Sequence, residues 1–140
     1  MKTARWNAIG GLAACMAGAA LLGGSAWAEE PDLASAAKGK IVYQRYCGSC
    51  HGREGRGDGV LAQDLTVAPP DLTVLAKKNG GHFPFDKVVE IVDGRQLARG
   101  HGAPDMPVWG EVFPKTEGTE SHDVKTVVGR LAHYLWSIQR

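Results

Sequence analysis

Cys47-Gly48-Ser49-Cys50-His51 is the stretch that decides how this 140-residue chain folds. Two thiols separated by two residues, with a histidine directly after the second, are what covalent haem attachment requires. The thiols add to the two vinyl groups of the porphyrin as thioethers, and the short spacing matches the distance between those vinyls. The imidazole of His51 is then held against one face of the iron, so attachment and axial ligation come from a single turn of chain. Other readings of the same residues are a thioredoxin-like dithiol, half a zinc site and a simple disulfide. A redox dithiol would want a strand–helix setting and has no use for His51. Zinc would want further ligands, and no cysteine follows Cys50.

Upstream of the motif, Lys2 and Arg5 form a short positive region, and no charge occurs from Trp6 to Ala28. Ala26-Trp27-Ala28 has the small-residue pattern of a signal-peptidase site, so residues 1–28 are expected to be a cleaved Sec-type signal peptide, leaving 29–140 as one domain. Two alternatives compete. Uncut, the apolar run from Ala8 to Ala28 is long enough to span a bilayer, but it is rich in Gly and Ala and would make a weak anchor. Leu12-Ala13-Ala14-Cys15 looks like a lipidation box, yet most of the apolar segment follows Cys15 where a lipobox needs it before.

The exported part carries all fifteen acidic residues and fourteen of the sixteen basic ones, a formal balance of −1. No basic stripe points to nucleic acid, and no second long apolar segment points to a polytopic membrane protein. A chain this short buries limited apolar surface, so a porphyrin would form part of its core.

The pattern predicts an all-α chain with long loops. Glu29-Glu30-Pro31-Asp32 opens a first helix that runs into Cys47, with proline and acidic residues in its first turn. Gly52 to Gly59 holds four glycines in eight residues and reads as an irregular loop. Ala68-Pro69-Pro70-Asp71 breaks any helix. A short turn follows at Leu72 to Lys77, then a helix with Phe85, Val88, Val89 and Val92 on one face, ending at Asp93-Gly94. Gly100 to Gly110, with two prolines, is a loop. The last helix is the clearest, with Val124, Val127, Val128, Leu131, Leu135 and Ile138 on one face, Asp123 at its start and Arg140 near its end.

Iron bound by His51 has one open face, and what fills it sets the function. Removing the leader takes away Met1 and Met16 and leaves Met106 in Asp105-Met106-Pro107-Val108-Trp109-Gly110, a proline-braced loop. A lone methionine is more often a core filler, but in a haem protein a loop methionine beside proline reads as the distal ligand. A thioether favours Fe(II) and raises the reduction potential relative to a second imidazole. The competing ligands are His101 and His82, with His122 and His133 read as surface residues on or beside the last helix.

At this point the chain resembles a class I c-type cytochrome of the small bacterial periplasmic kind, over essentially the whole exported part. The resemblance implies a cytochrome c fold of three to five short helices wrapped around one covalently bound haem c. It implies that Gly39 and Tyr43 of the first helix meet Tyr134 of the last. It also implies that Pro70, two residues before Leu72, presents its carbonyl to the other ring nitrogen of His51 and fixes its orientation. Cys50-His51-Gly52 followed by Gly55-Arg56-Gly57-Asp58-Gly59 is similar to the haem-binding stretch of many members, and His101-Gly102 ahead of Met106-Pro107 and Trp109-Gly110 to their ligand loop. Relatives often have proline after Gly-Asp-Gly, where this chain has Val60. Haem attachment in such proteins takes place outside the bacterial cytoplasmic membrane, which agrees with the leader and implies a periplasmic location with no permanent membrane anchor.

The expected role is electron transfer through Fe(II)/Fe(III) cycling of a haem attached at Cys47 and Cys50 and ligated by His51 and Met106, a carrier rather than an enzyme. Its partners would be redox proteins, a dehydrogenase donor and an oxidase or reductase acceptor, docking transiently near the Cys47–Cys50 edge. The chain would be a monomer, or alternatively the haem subunit of a periplasmic dehydrogenase or oxidase complex. A gas-binding or peroxidatic cytochrome would need an open sixth position, against which Met106 argues.

Overall fold

The computed structural model describes residues 30–95, 106–116 and 121–140. These residues form α-helices and 3-10 turns and no strand: α1 (Leu33–Tyr46), α2 (Gly48–His51), α3 (Leu75–Lys78), α4 (Phe85–Asp93), α5 (Trp109–Thr116) and α6 (Ser121–Ser137). Because α2 and α3 are single four-residue turns, four helices carry the architecture. The leader, including Cys15, and the segment holding His101 lie outside the described residues.

Asp32 caps α1 rather than occupying its first turn. Its carboxylate accepts from the Ser35 hydroxyl at 2.8 Å and from the Ala34 N–H at 2.9 Å, the latter a backbone donor that a helix start leaves open. These hydrogen bonds hold its carboxyl below the usual range. Pro31 therefore precedes the helix. At the other boundary α4 stops at Gly94, whose φ of 86° is a left-handed C-cap that glycine adopts without strain.

The core lies where α1 crosses α6. A β-carbon at Gly39 would sit 2.0 Å from the Arg130 carbonyl oxygen, so only glycine lets the two backbones come this close. One turn on, the rings of Tyr43 and Tyr134 pack at 5.0 Å, the meeting expected from the resemblance. Tyr43, Val128, Leu131 and Phe113 are fully buried around this crossing.

Two regions differ from the sequence reading. Trp109 and Gly110 begin α5 instead of ending a loop, because Trp109 and Phe113 stack at 5.2 Å one turn apart and bury 8% and 0% exposed against Tyr46. Arg140 does not attend the end of α6. It turns back to Asp71 at 2.9 Å and donates its backbone N–H to the Thr73 carbonyl, while Gln139 bridges Leu72 and Ala76. The C-terminus thereby fastens the 3-10 turn Leu72–Val74 and α3 to α6.

Candidate cofactor site

The motif Cys47–His51 is helical. Cys47 ends α1 by donating to the Tyr43 carbonyl, then starts α2, where His51 N–H donates to the Cys47 carbonyl at 2.8 Å. The loop that follows folds back over this turn: Gly57 N–H reaches the His51 carbonyl at 2.8 Å and Leu61 N–H the Ser49 carbonyl at 2.9 Å. Gly57 has φ 80°, and a β-carbon there would lie 2.3 Å from the Pro69 carbonyl oxygen, so the turn closes only with glycine. From α1, the Tyr43 hydroxyl donates to the Gly52 carbonyl at 2.8 Å, and the Gln44 amide to the Arg53 carbonyl at 2.7 Å. The motif is thus clamped from two sides, and its orientation is part of the fold.

Cys47 and Cys50 are half-buried thiols, not joined to each other. Burial, reinforced by the neighbouring Cys50, pushes the Cys47 thiol up to about 12. A redox dithiol needs the opposite, a thiol whose anion is favoured. Among the described residues no three His, Cys, Asp or Glu side chains gather as a metal site, which weighs against zinc.

Beside the motif lies a cavity of about 990 Å³ of atom-free space, open mouth included. Cys47 and His51 form part of one wall, and Pro70, Leu72 and Leu75 continue it. Val88, Ile91 and Val92 of α4, Trp109 of α5, and Leu131 and Leu135 of α6 make the remainder apolar. Met106 also lines it, half-buried and packed on the core. Among the described residues, the polar or charged wall residues besides His51 are Tyr43, Lys78, Asn79 and Lys87.

The sequence-derived residues therefore fall as follows. Cys47, His51, Met106 and Pro70 share the cavity, while Cys50 lies one residue before His51 and off the wall. Pro70 stands on the same wall as His51, but the hydrogen bond expected between its carbonyl and a ring nitrogen is not formed, since the buried Nδ1 of His51 does not reach it. Of the rival histidines, His82 is exposed. His133 accepts the Asp32 N–H at 3.1 Å and packs beside Phe85, away from the cavity wall. The side chain of His122 and all of His101 are outside the described residues. The sequence reading did not foresee the part of α4, nor Lys78 and Lys87. The helical repeat of Phe85, Val88, Val89 and Val92 was the available sign of an apolar wall.

A flat, apolar disc with an attachment edge suits such a cavity, and its donor set of thiol, imidazole and thioether suits a porphyrin iron. No helix among the described residues is long and apolar enough to cross a membrane. Residues 34–117, more than half of the chain, match the model of a protein family described as cytochrome C oxidase, cbb3-type, subunit III. No curated protein and no solved structure gives a significant match.

Proposed function

The chain belongs to that family of c-type cytochromes, and from this membership we propose that it is a periplasmic carrier of single electrons whose haem is attached at Cys47 and Cys50 and ligated by His51 and Met106. Covalent haem c with its iron, and electron transfer by it, come with the family. When bound, haem c supplies a reversible one-electron Fe(II)/Fe(III) couple. The observation that supports the finer reading is that His51 and Met106 line one apolar cavity at whose wall Cys47 also stands.

Each group has a physical task. Cys47 and Cys50 tether the ring edge. His51 is fixed by the helical turn Cys47–His51 and by the loop clamped over it. Met106 would supply the iron with a soft donor that favours Fe(II). Trp109, Leu131 and Leu135 keep water from the buried face. With His51 and Met106 both holding the iron, no coordination site would be left for a substrate, and the chain would be a carrier and not a catalyst.

A second reading is favoured by the family description, which names a subunit of an oxidase. In it the same haem site serves within a complex rather than as a diffusing carrier. Export rests on Lys2, Arg5, the uncharged run to Ala28 and the Ala26-Trp27-Ala28 pattern.

Production in an export-competent, haem-attaching host tests the proposal. Mass spectrometry should give a chain beginning at Glu29 plus one haem that acidified organic solvent does not extract. An unmodified mass refutes the attachment. A retained leader in the membrane fraction, or lipid on Cys15, refutes the soluble periplasmic form. Stable co-purification with a larger redox subunit selects the complex over the free carrier.

A further inference from the structure

Every acidic side chain is missing from the cavity wall among the described residues, whereas two cations are present: Lys78 at the end of α3 and Lys87 on α4. Both are solvent-exposed on a largely apolar wall, and neither is joined to a carboxylate among the described residues. Haem c is itself asymmetric. One edge is fixed by the thioethers, and the edge away from them carries two propionate carboxylates. Fixing the first edge at Cys47 and Cys50 therefore directs two negative charges to a different part of the cavity. Carboxylates brought against apolar walls need counter-charge or water.

We infer that Lys78 and Lys87 receive the haem propionates and, through them, set the reduction potential and its dependence on pH. The match is two positive charges to two negative ones on a cavity wall that holds no acid among the described residues. Lysine suits the position as a mobile point charge on a long stem, able to meet a carboxylate at the mouth without being buried. The cations act in two ways. They favour the ionised propionates, and their field opposes the added positive charge of Fe(III). This inference rests on the haem attachment proposed above.

The test compares wild type, Lys78→Gln, Lys87→Gln, the double variant and the two Lys→Arg variants, all as haem-loaded protein. Lys40→Gln on α1, exposed and off the cavity wall, is the control. Haem mass and the near-infrared sulfur-to-iron band are recorded first, then the midpoint potential from pH 5 to 9. At pH 8 each Gln variant should lower the potential, raising the Fe(III)/Fe(II) ratio at a fixed poise by about two- to fivefold. The pH-dependent part of the curve should move to higher pH, because a propionate without its cation holds its proton more tightly. Arg should restore both features, and Lys40→Gln should leave them unchanged. A double variant with intact haem and band but wild-type potential and pH profile overturns the inference while leaving the haem site standing. An equal shift from Lys40→Gln overturns it too, since the effect would then be one of net charge. Wild type without covalent haem overturns the underlying reading and this inference with it.

Discussion

Gly39 and Arg130 bring the backbones of α1 and α6 into direct apposition, with a β-carbon at Gly39 falling 2.0 Å from the Arg130 carbonyl oxygen and 2.5 Å from its carbonyl carbon. Backbone cannot swing aside as a side chain can, so any larger residue must push the helices apart. The separation would loosen the Tyr43–Tyr134 contact one turn away and, through Tyr43, the clamp on Gly52. Gly39→Ala should therefore destabilise the protein by about 1–3 kcal/mol, the usual cost of overpacking. Denaturant unfolding checks this. A midpoint equal to wild type would mean that the crossing adjusts without cost.

The Tyr43 hydroxyl tests the clamp itself. It is buried and donates to the Gly52 carbonyl directly after the motif. Tyr43→Phe keeps the ring contact but leaves that carbonyl with the Gly55 N–H, at 3.2 Å, as its remaining donor, at a cost of about 0.5–1.5 kcal/mol. Burial, with a lesser contribution from Tyr134, raises the Tyr43 phenol above its ordinary value of 10.0. A group whose folded value is raised contributes stability that is present below its unfolded value and lost as pH rises past it. Wild type should therefore weaken above about pH 10. Tyr43→Phe should show a shallower alkaline decline, read by unfolding curves between pH 9 and 11.

The helices were legible where local pattern and local cause coincide. Val88 and Val92 repeat at helical spacing and Gly94 supplies the stop, and α4 ends where that pattern ends. The pairing of Gly39 with α6 followed from the resemblance and is present in the structure. α5 was hidden because Gly110 and Pro114 interrupt its pattern, while the packing of Trp109 and Phe113 on Tyr46 of α1 that sustains it is a tertiary matter. Arg140 was misread for a similar reason: a helix-end charge was the local explanation, and the partner that wins, Asp71, lies 69 positions away. At the site, the attachment motif identifies itself by spacing. The cavity wall does not, because Lys78 of α3 comes to share it with Lys87 and Ile91 of α4 only in the folded chain.

The Asp71 cluster governs the acid limb. Its carboxyl is held down to about 2, first by the Thr73 hydroxyl and Thr73 N–H, with Arg140 adding less. A depressed folded value contributes stability that is present above the unfolded value, 3.8, and lost as pH falls through about 2. Asp71→Asn should remove that contribution at neutral pH and flatten the stability profile between pH 4 and 2. Thr73→Val should do more than Arg140→Gln, since Thr73 is the larger cause. Equal pH profiles for wild type and Asp71→Asn, measured by thermal unfolding across that window, would show that the cluster does not couple to folding.

Met106 offers the sharpest test of the ligand set. It lines the cavity together with His51, and no other described methionine or histidine does. Oxidised wild type should show the weak near-infrared sulfur-to-iron band, and Met106→Ala should abolish it. The variant's potential should fall, because water or a nitrogen donor stabilises Fe(III) better than a thioether. It should also bind carbon monoxide or imidazole more tightly, since a face that Met106 covered is now open. Met106→His should keep six-coordination while still lowering the potential, separating loss of sulfur from loss of a ligand. His101→Ala should leave the band in place. Wild type lacking the band, with its spectrum altered by His101→Ala, would replace the assignment with two imidazoles. Ready binding of carbon monoxide by wild type would instead mean that the sixth position is open, and the chain would be a sensor or an enzyme rather than a carrier.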